Sequence, residues 1–143
     1  MIDANVLLVD DEQDFVSTMV KRLKKRKLTI DTAFSGQEAL DRLAADSDIE
    51  VVVLDIKMPG MDGEQTLRQI KTHHPLVEVI MLTGHATVES GIEGMKLGAF
   101  DYLTKPCELD VLLAKVDEAA MKKRRHEEKI VEARIKEITL RRA

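Results

Sequence analysis

The sequence predicts an α/β fold: a doubly wound, five-stranded parallel sheet whose pattern allows the order 2-1-3-4-5. Short apolar runs at 6–9, 51–54 and 77–82 alternate with segments of helical periodicity, as in repeated βα units. These runs are nearly continuous, the last broken by Glu78, as expected of strands covered by helices on both faces. The segments 28–34 and 100–103 carry polar interruptions and fit sheet edges, which leaves strands one, three and four at the centre.

Four strand ends carry reactive side chains. Asp10 and Asp11 follow the first strand, Asp55 the third, Thr83 the fourth and Lys105 the fifth. In an open parallel sheet, ligands bind outside the carboxyl ends of the strands, at the switch point between strands one and three for this order. Three carboxylates, a hydroxyl and an ammonium in one crevice suit a divalent cation beside a phosphoryl group.

The helices follow in order. Phe15, Val16, Met19, Val20 and Leu23 recur at three and four residues, with Asp11 as the expected N-cap and cations across 21–27 near the end. The second helix begins near Ser35, an expected N-cap with Glu38 completing a capping box, and continues through Ala39, Leu40 and Leu43. Leu67 and Ile70 mark the third, entered through the turn Pro59, Gly60, Met61, Asp62, Gly63. The fourth, over 88–97, contains Gly91 and Gly94. An interior glycine costs a helix about 1 kcal/mol relative to alanine, so this helix is expected to be the softest.

The fifth helix starts near Glu108 and presents Leu109, Leu112, Val116, Ala119 and Ala120 to the sheet. Its apolar stripe fails over 122–129 and resumes at Ile130, Val131, Ile135 and Ile138. Pairs four residues apart (Glu118 with Lys122, Glu132 with Lys136, Glu137 with Arg141) favour a continued helix. The expected division is a domain at 4–120 and a helical extension or linker at 121–143. That extension reads either as a solvated tail or as a short dimerisation or signalling helix. The cations at 122–125 would spread around a helix and are followed by Glu127 and Glu128, which argues against a DNA contact.

Composition bounds the rest. A chain of 143 residues fits one domain, and 44% hydrophobic with 34% charged residues is a globular balance. No apolar run nears the roughly 20 residues of a membrane span, and the start lacks a basic segment before an apolar one. A cytoplasmic protein is expected. Cys107 is the single cysteine, so no internal disulfide can form; it is expected at a buried or boundary position, without a nucleophilic role. A net charge of −4 and 3% aromatic residues argue against a nucleic-acid-binding body.

Four motifs together carry a family resemblance: Val-Asp-Asp-Glu at 9–12, Val-Leu-Asp-Ile-Lys-Met-Pro-Gly-Met-Asp-Gly at 53–63, Met-Leu-Thr-Gly-His at 81–85 and Gly-Ala-Phe-Asp-Tyr-Leu-Thr-Lys-Pro at 98–106. Over about residues 4–120 the chain resembles the flavodoxin-like receiver domain of two-component response regulators, most of all receivers that precede transcriptional activators. The resemblance implies the 2-1-3-4-5 strand order of flavodoxin-like folds. The resemblance implies that Asp55 accepts a phosphoryl group from a phosphohistidine on a sensor histidine kinase or phosphotransfer protein. Mg²⁺ would be held by Asp11, by Asp10 through water, by Asp55 and by the backbone carbonyl of Lys57.

The resemblance further implies that Lys105 and Thr83 contact the phosphoryl oxygens, with Gly84 leaving room for the group. Thr83 and Tyr102 would form the switch, although Tyr102 could instead simply cover the sheet edge. Lys57 and His85 occupy the two positions that tune loss of the phosphoryl group. Neither supplies a carboxylate or amide to orient water, so slow dephosphorylation is expected. The Lys105–Pro106 bond is expected to be cis, as in the family, and His73, His74 and His126 are expected at the surface. A homodimer, with Val131, Ile135 and Ile138 as its seam, and an unidentified output protein are the expected partners. No effector is recognisable after residue 120, so the output is a protein contact or the chain is a fragment of a longer regulator.

Two other classes compete. An aspartate-nucleophile phosphatase of the dehalogenase type would need a second acid two residues after the nucleophile, where Lys57 stands. A pseudo-receiver that only binds proteins would lack one of the five site residues, and all five are present.

Overall fold

The computed structural model describes residues 3–56, 62–84 and 87–142. Strands β1 (Ala4–Val9), β2 (Leu28–Ala33), β3 (Val51–Leu54), β4 (Glu78–Thr83) and β5 (Asp101–Thr104) alternate with helices α1 (Gln13–Leu23), α2 (Gly36–Ala45), α3 (Gly63–His73), α4 (Val88–Lys96) and α5 (Leu109–Arg142). All pairings are parallel, in the order β2-β1-β3-β4-β5, which is the predicted fold.

The central strands are apolar over 6–9, 51–54 and 79–82, where both faces are buried. Val6 and Leu8, Val51 and Val53, and Ile80 and Leu82 join one core with Val16, Met19 and Leu23 of α1 and the buried face of α5. Their neighbours Leu7 and Val9, Val52 and Leu54, and Val79 and Met81 join the second core with Ala39, Leu43, Leu67 and Ile70 of α2 and α3. Alternate side chains of a strand point to opposite faces, so one continuous run feeds two cores.

The capping expectations are partly corrected. Glu12, not Asp11, occupies the N-cap position of α1, and its side chain makes no capping bond. Asp10 Oδ1 instead accepts from Glu12 N–H at 3.0 Å. Ser35 Oγ accepts from Glu38 N–H at 3.1 Å as expected, but the Glu38 carboxylate accepts from Phe34 N–H rather than from Ser35. Of the turn ahead of α3, Pro59, Gly60 and Met61 lie outside the described residues, and Asp62 caps the helix by accepting from Gln65 N–H at 2.9 Å.

Glu78 interrupts an apolar run yet is buried. Its carboxylate pairs with Lys71 at 3.7 Å and Lys122 at 3.4 Å. Glu50, only 6% exposed, receives both Nε and Nη2 of Arg124 at 2.7 and 2.8 Å, and Arg124 also donates to the carbonyl of Asp3. Burial alone would raise the Glu50 pKa; the hydrogen bonds and charge of Arg124 outweigh it and hold the carboxyl below its ordinary value. Part of the charged run after Met121 thus fastens α5 to the entry ends of β3 and β4. Lys122 is drawn to Glu78 instead of the expected Glu118, which pairs with Lys115 at 3.6 Å. Glu137 does pair with Arg141, and Ile130, Val131, Ile135 and Ile138 are exposed along the single helix that continues to Arg142.

Candidate functional site

Main-chain bonds continue the ladder just past the strands at their carboxyl ends. Asp10 N–H donates to the Ala33 carbonyl at 3.1 Å, Asp55 N–H to Val9 at 3.0 Å and Lys105 N–H to Thr83 at 2.9 Å. These bonds fix three backbones where the side chains leave the sheet. Thr83 is fully buried as the last residue of β4, and the Lys105–Pro106 peptide is cis.

Asp10, Asp11 and Asp55 each bring one carboxylate oxygen within 4.8 Å of the others. Asp10 and Asp55 are 1% and 4% exposed, whereas Asp11 faces solvent. Asp55 Oδ1 is buried and has no hydrogen-bond partner among the described residues. An unpaired buried carboxylate oxygen is costly, and hard oxygen donors beside open solvent match the coordination of Mg²⁺, which keeps several waters. The cluster therefore fits Mg²⁺.

Lys105 Nζ lies 2.6 Å from Asp10 Oδ2, 3.5 Å from Glu12 Oε1 and 4.0 Å from Asp55 Oδ2. It also sits 4.0 Å from the centroid of the Phe15 ring. Burial pulls the Lys105 pKa down, but the hydrogen bond and charge of Asp10, with Asp55 and Glu12 behind, outweigh it and hold the ammonium above its ordinary value. The Asp10 carboxyl is nonetheless raised, by burial first and by the neighbouring Asp55 as well, against the pull of Lys105. The two directions agree physically: one ammonium cannot neutralise adjacent buried carboxylates.

Tyr102 packs against the second core, and its hydroxyl accepts from Thr87 N–H at 3.0 Å and lies 2.8 Å from Ser90 Oγ. Thr87 is the N-cap of α4, in a capping box with Ser90. Thus Tyr102 is tied to the start of α4. Lys57 and His85 lie outside the described residues. His73 and His126 are exposed, His74 is half-buried, and Cys107 is at a boundary, its thiol pKa pushed up by burial and by Glu108.

Sequence reasoning placed Phe15 on the buried face of α1 and missed its contact with Lys105. The two residues are far apart in sequence, and no local spacing signals their contact. Thr87 and Ser90 carried a readable capping pattern but no hint of Tyr102.

This chain belongs to the response regulator receiver domain family, whose match spans residues 6–117. It is 39% identical over 112 residues to the DNA-binding transcriptional regulator NtrC of Klebsiella pneumoniae, covering 78% of this chain and 24% of that protein. A response regulator receiver domain protein from Clostridium thermocellum superposes with a TM-score of 0.80 at 35% identity, over 85% of this chain and 97% of that one. NtrX from Brucella abortus gives 0.81 at 30% identity, over 89% and 29% respectively. The chain spans about a quarter of the length of the curated relatives it matches. Receivers are phosphoacceptor switches of two-component systems that bind Mg²⁺ at an acidic pocket, and the Asp10, Asp11 and Asp55 cluster fits that use. Among the described residues, no helix is long and apolar enough to cross a membrane.

Proposed function

We propose that Asp55 accepts a phosphoryl group from the phosphohistidine of a sensor histidine kinase or phosphotransfer protein, and that the change is passed to a protein-contact surface through Thr83 and Tyr102. The observation that carries this reading is the buried Asp55 Oδ1, which has no partner among the described residues, beside two further carboxylates and the Lys105 ammonium. An Asp55 oxygen bonds to phosphorus as the phosphorus–nitrogen bond of the donor breaks, and the imidazole leaves with the electron pair. Lys105 moves from Asp10 toward the new phosphoryl oxygens, and the Thr83 hydroxyl donates to another. Asp10, Asp11 and Asp55, with the Lys57 carbonyl, would hold Mg²⁺, which when bound neutralises charge on the phosphoryl oxygens.

Movement of Thr83 toward that group would bias the position of Tyr102, and with it the start of α4, within an existing equilibrium. The domain at 4–120 acts as the switch, and 121–143 as its helical extension or linker. Lys57 and His85 would set a slow loss of the phosphoryl group. A kinase in the same compartment makes this a cytoplasmic protein.

The metal assignment is tested by titrating Mg²⁺ while following labelling by acetyl phosphate. Asp11→Ala is expected to shift the half-saturating Mg²⁺ concentration upward by at least about tenfold, because a charged ligand is lost. An unchanged titration would remove Asp11 from the metal set.

We further read the exposed stripe of Val131, Ile135 and Ile138 as a homodimer seam, since these apolar side chains recur at helical spacing on one exposed face of α5 and gain from burial against a second copy. Ile135→Glu places a charge in that seam. Sedimentation is expected to shift toward monomer with Asp55 labelling unchanged, and a native chain that is monomeric with and without phosphate would refute the seam.

A further inference from the structure

We propose that Phe15 is a positioning residue for Lys105, its ring face holding the ammonium at the crevice as the ammonium passes from Asp10 to a phosphoryl group on Asp55. This rests on the reading of Asp55 as acceptor.

The Lys105 Nζ lies 4.0 Å from the ring centroid, well inside the roughly 6 Å reach of a cation–π attraction. Phe15 is itself held: it sits in the first turn of α1 and packs on the core shared by α1, α5 and the sheet. The ring is thus a fixed wall, whereas the lysine stem is long and rotatable. Three carboxylates also attract the ammonium, at 2.6, 3.5 and 4.0 Å. Those contacts depend on where its N–H bonds point, and the bond to Asp10 must loosen when Lys105 turns to phosphoryl oxygens. Attraction to the ring depends on distance from the face and not on donor direction, so it persists through the exchange. The ring also screens the ammonium from water, which strengthens its attraction to developing negative charge.

A ring that only filled space would be replaceable by any side chain of its shape. Fluorination separates the two roles, because it withdraws electron density from the ring face while nearly preserving shape. Phenylalanine, 4-fluoro-, 3,5-difluoro- and 3,4,5-trifluorophenylalanine at position 15 of the full chain are compared by the rate of acetyl phosphate labelling with Mg²⁺, followed by intact mass. The expected result is a stepwise fall in rate totalling about two- to fivefold, with the chain folded throughout the series. In the Lys105→Met background the same series is expected to be flat, because the ring acts through the ammonium. Equal rates across the series with Lys105 present, or an equal fall with Lys105 absent, overturn the proposal. Absence of any adduct on the unfluorinated chain instead defeats the acceptor reading, and the positioning role falls with it.

Discussion

Asp55→Asn is expected to abolish stable phosphoryl retention from acetyl phosphate while leaving the chain folded and slightly more stable in the absence of Mg²⁺. The amide keeps the volume of the carboxylate but has no anionic oxygen to attack phosphorus. Asp55 is buried beside Asp10, so removing its charge relieves like-charge repulsion, and its new N–H donors can serve the neighbouring carboxylates. The stability gain is expected to be about 1 kcal/mol by urea unfolding with unchanged m. Labelling of the variant at the native rate would move the acceptor elsewhere, and a loss of stability would show that Asp55 serves the fold.

Gly63→Ala has the largest effect expected on the fold itself. Gly63 opens α3, and its N–H donates to the Ile56 carbonyl at 2.6 Å. A Cβ there would come within 2.6 Å of Ile56 Cα, the Asp55 carbonyl oxygen and the Ile56 carbonyl oxygen. None of these is a side chain that can rotate away, so the main chain beside the acceptor must shift. A destabilisation of about 2–3 kcal/mol is expected, together with slower labelling of Asp55. Gly94→Ala is the comparison: its Cβ would meet the flexible thioether of Met81, and the cost is expected to be smaller. Equal stability of Gly63→Ala and the native chain would mean that the close approach is unimportant.

The central strands and their reactive ends were legible because both signals are local. A run such as Val51 to Leu54 needs no knowledge of its partners to be recognised as a strand buried on both faces, and Asp55 follows it directly. What was illegible depends on contacts distant in sequence. Glu78 looked like an interruption because Lys122 lies 44 residues on, and Glu50 finds Arg124 at a separation of 74. Each buried carboxylate was therefore readable only with its cation in view. The cap of α1 failed for a different reason. Asp10, Asp11 and Glu12 are consecutive acids, and the choice among them turns on one residue of helical register that the apolar pattern does not fix. Gly91 and Gly94 read alike as weaknesses of α4, yet a Cβ at Gly94 would crowd the Met81 thioether whereas one at Gly91 would make only ordinary contact with the Tyr102 ring.

Intact mass of the native chain after incubation with acetyl phosphate, with Mg²⁺ and then with a chelator, followed by peptide mapping, addresses the acceptor assignment most directly. One phosphoryl group retained on Asp55 with Mg²⁺, and little or none with the chelator, is the predicted result. Absence of an adduct with Mg²⁺ present, an adduct mapped to another residue, or rapid turnover of phosphomonoesters would contradict it.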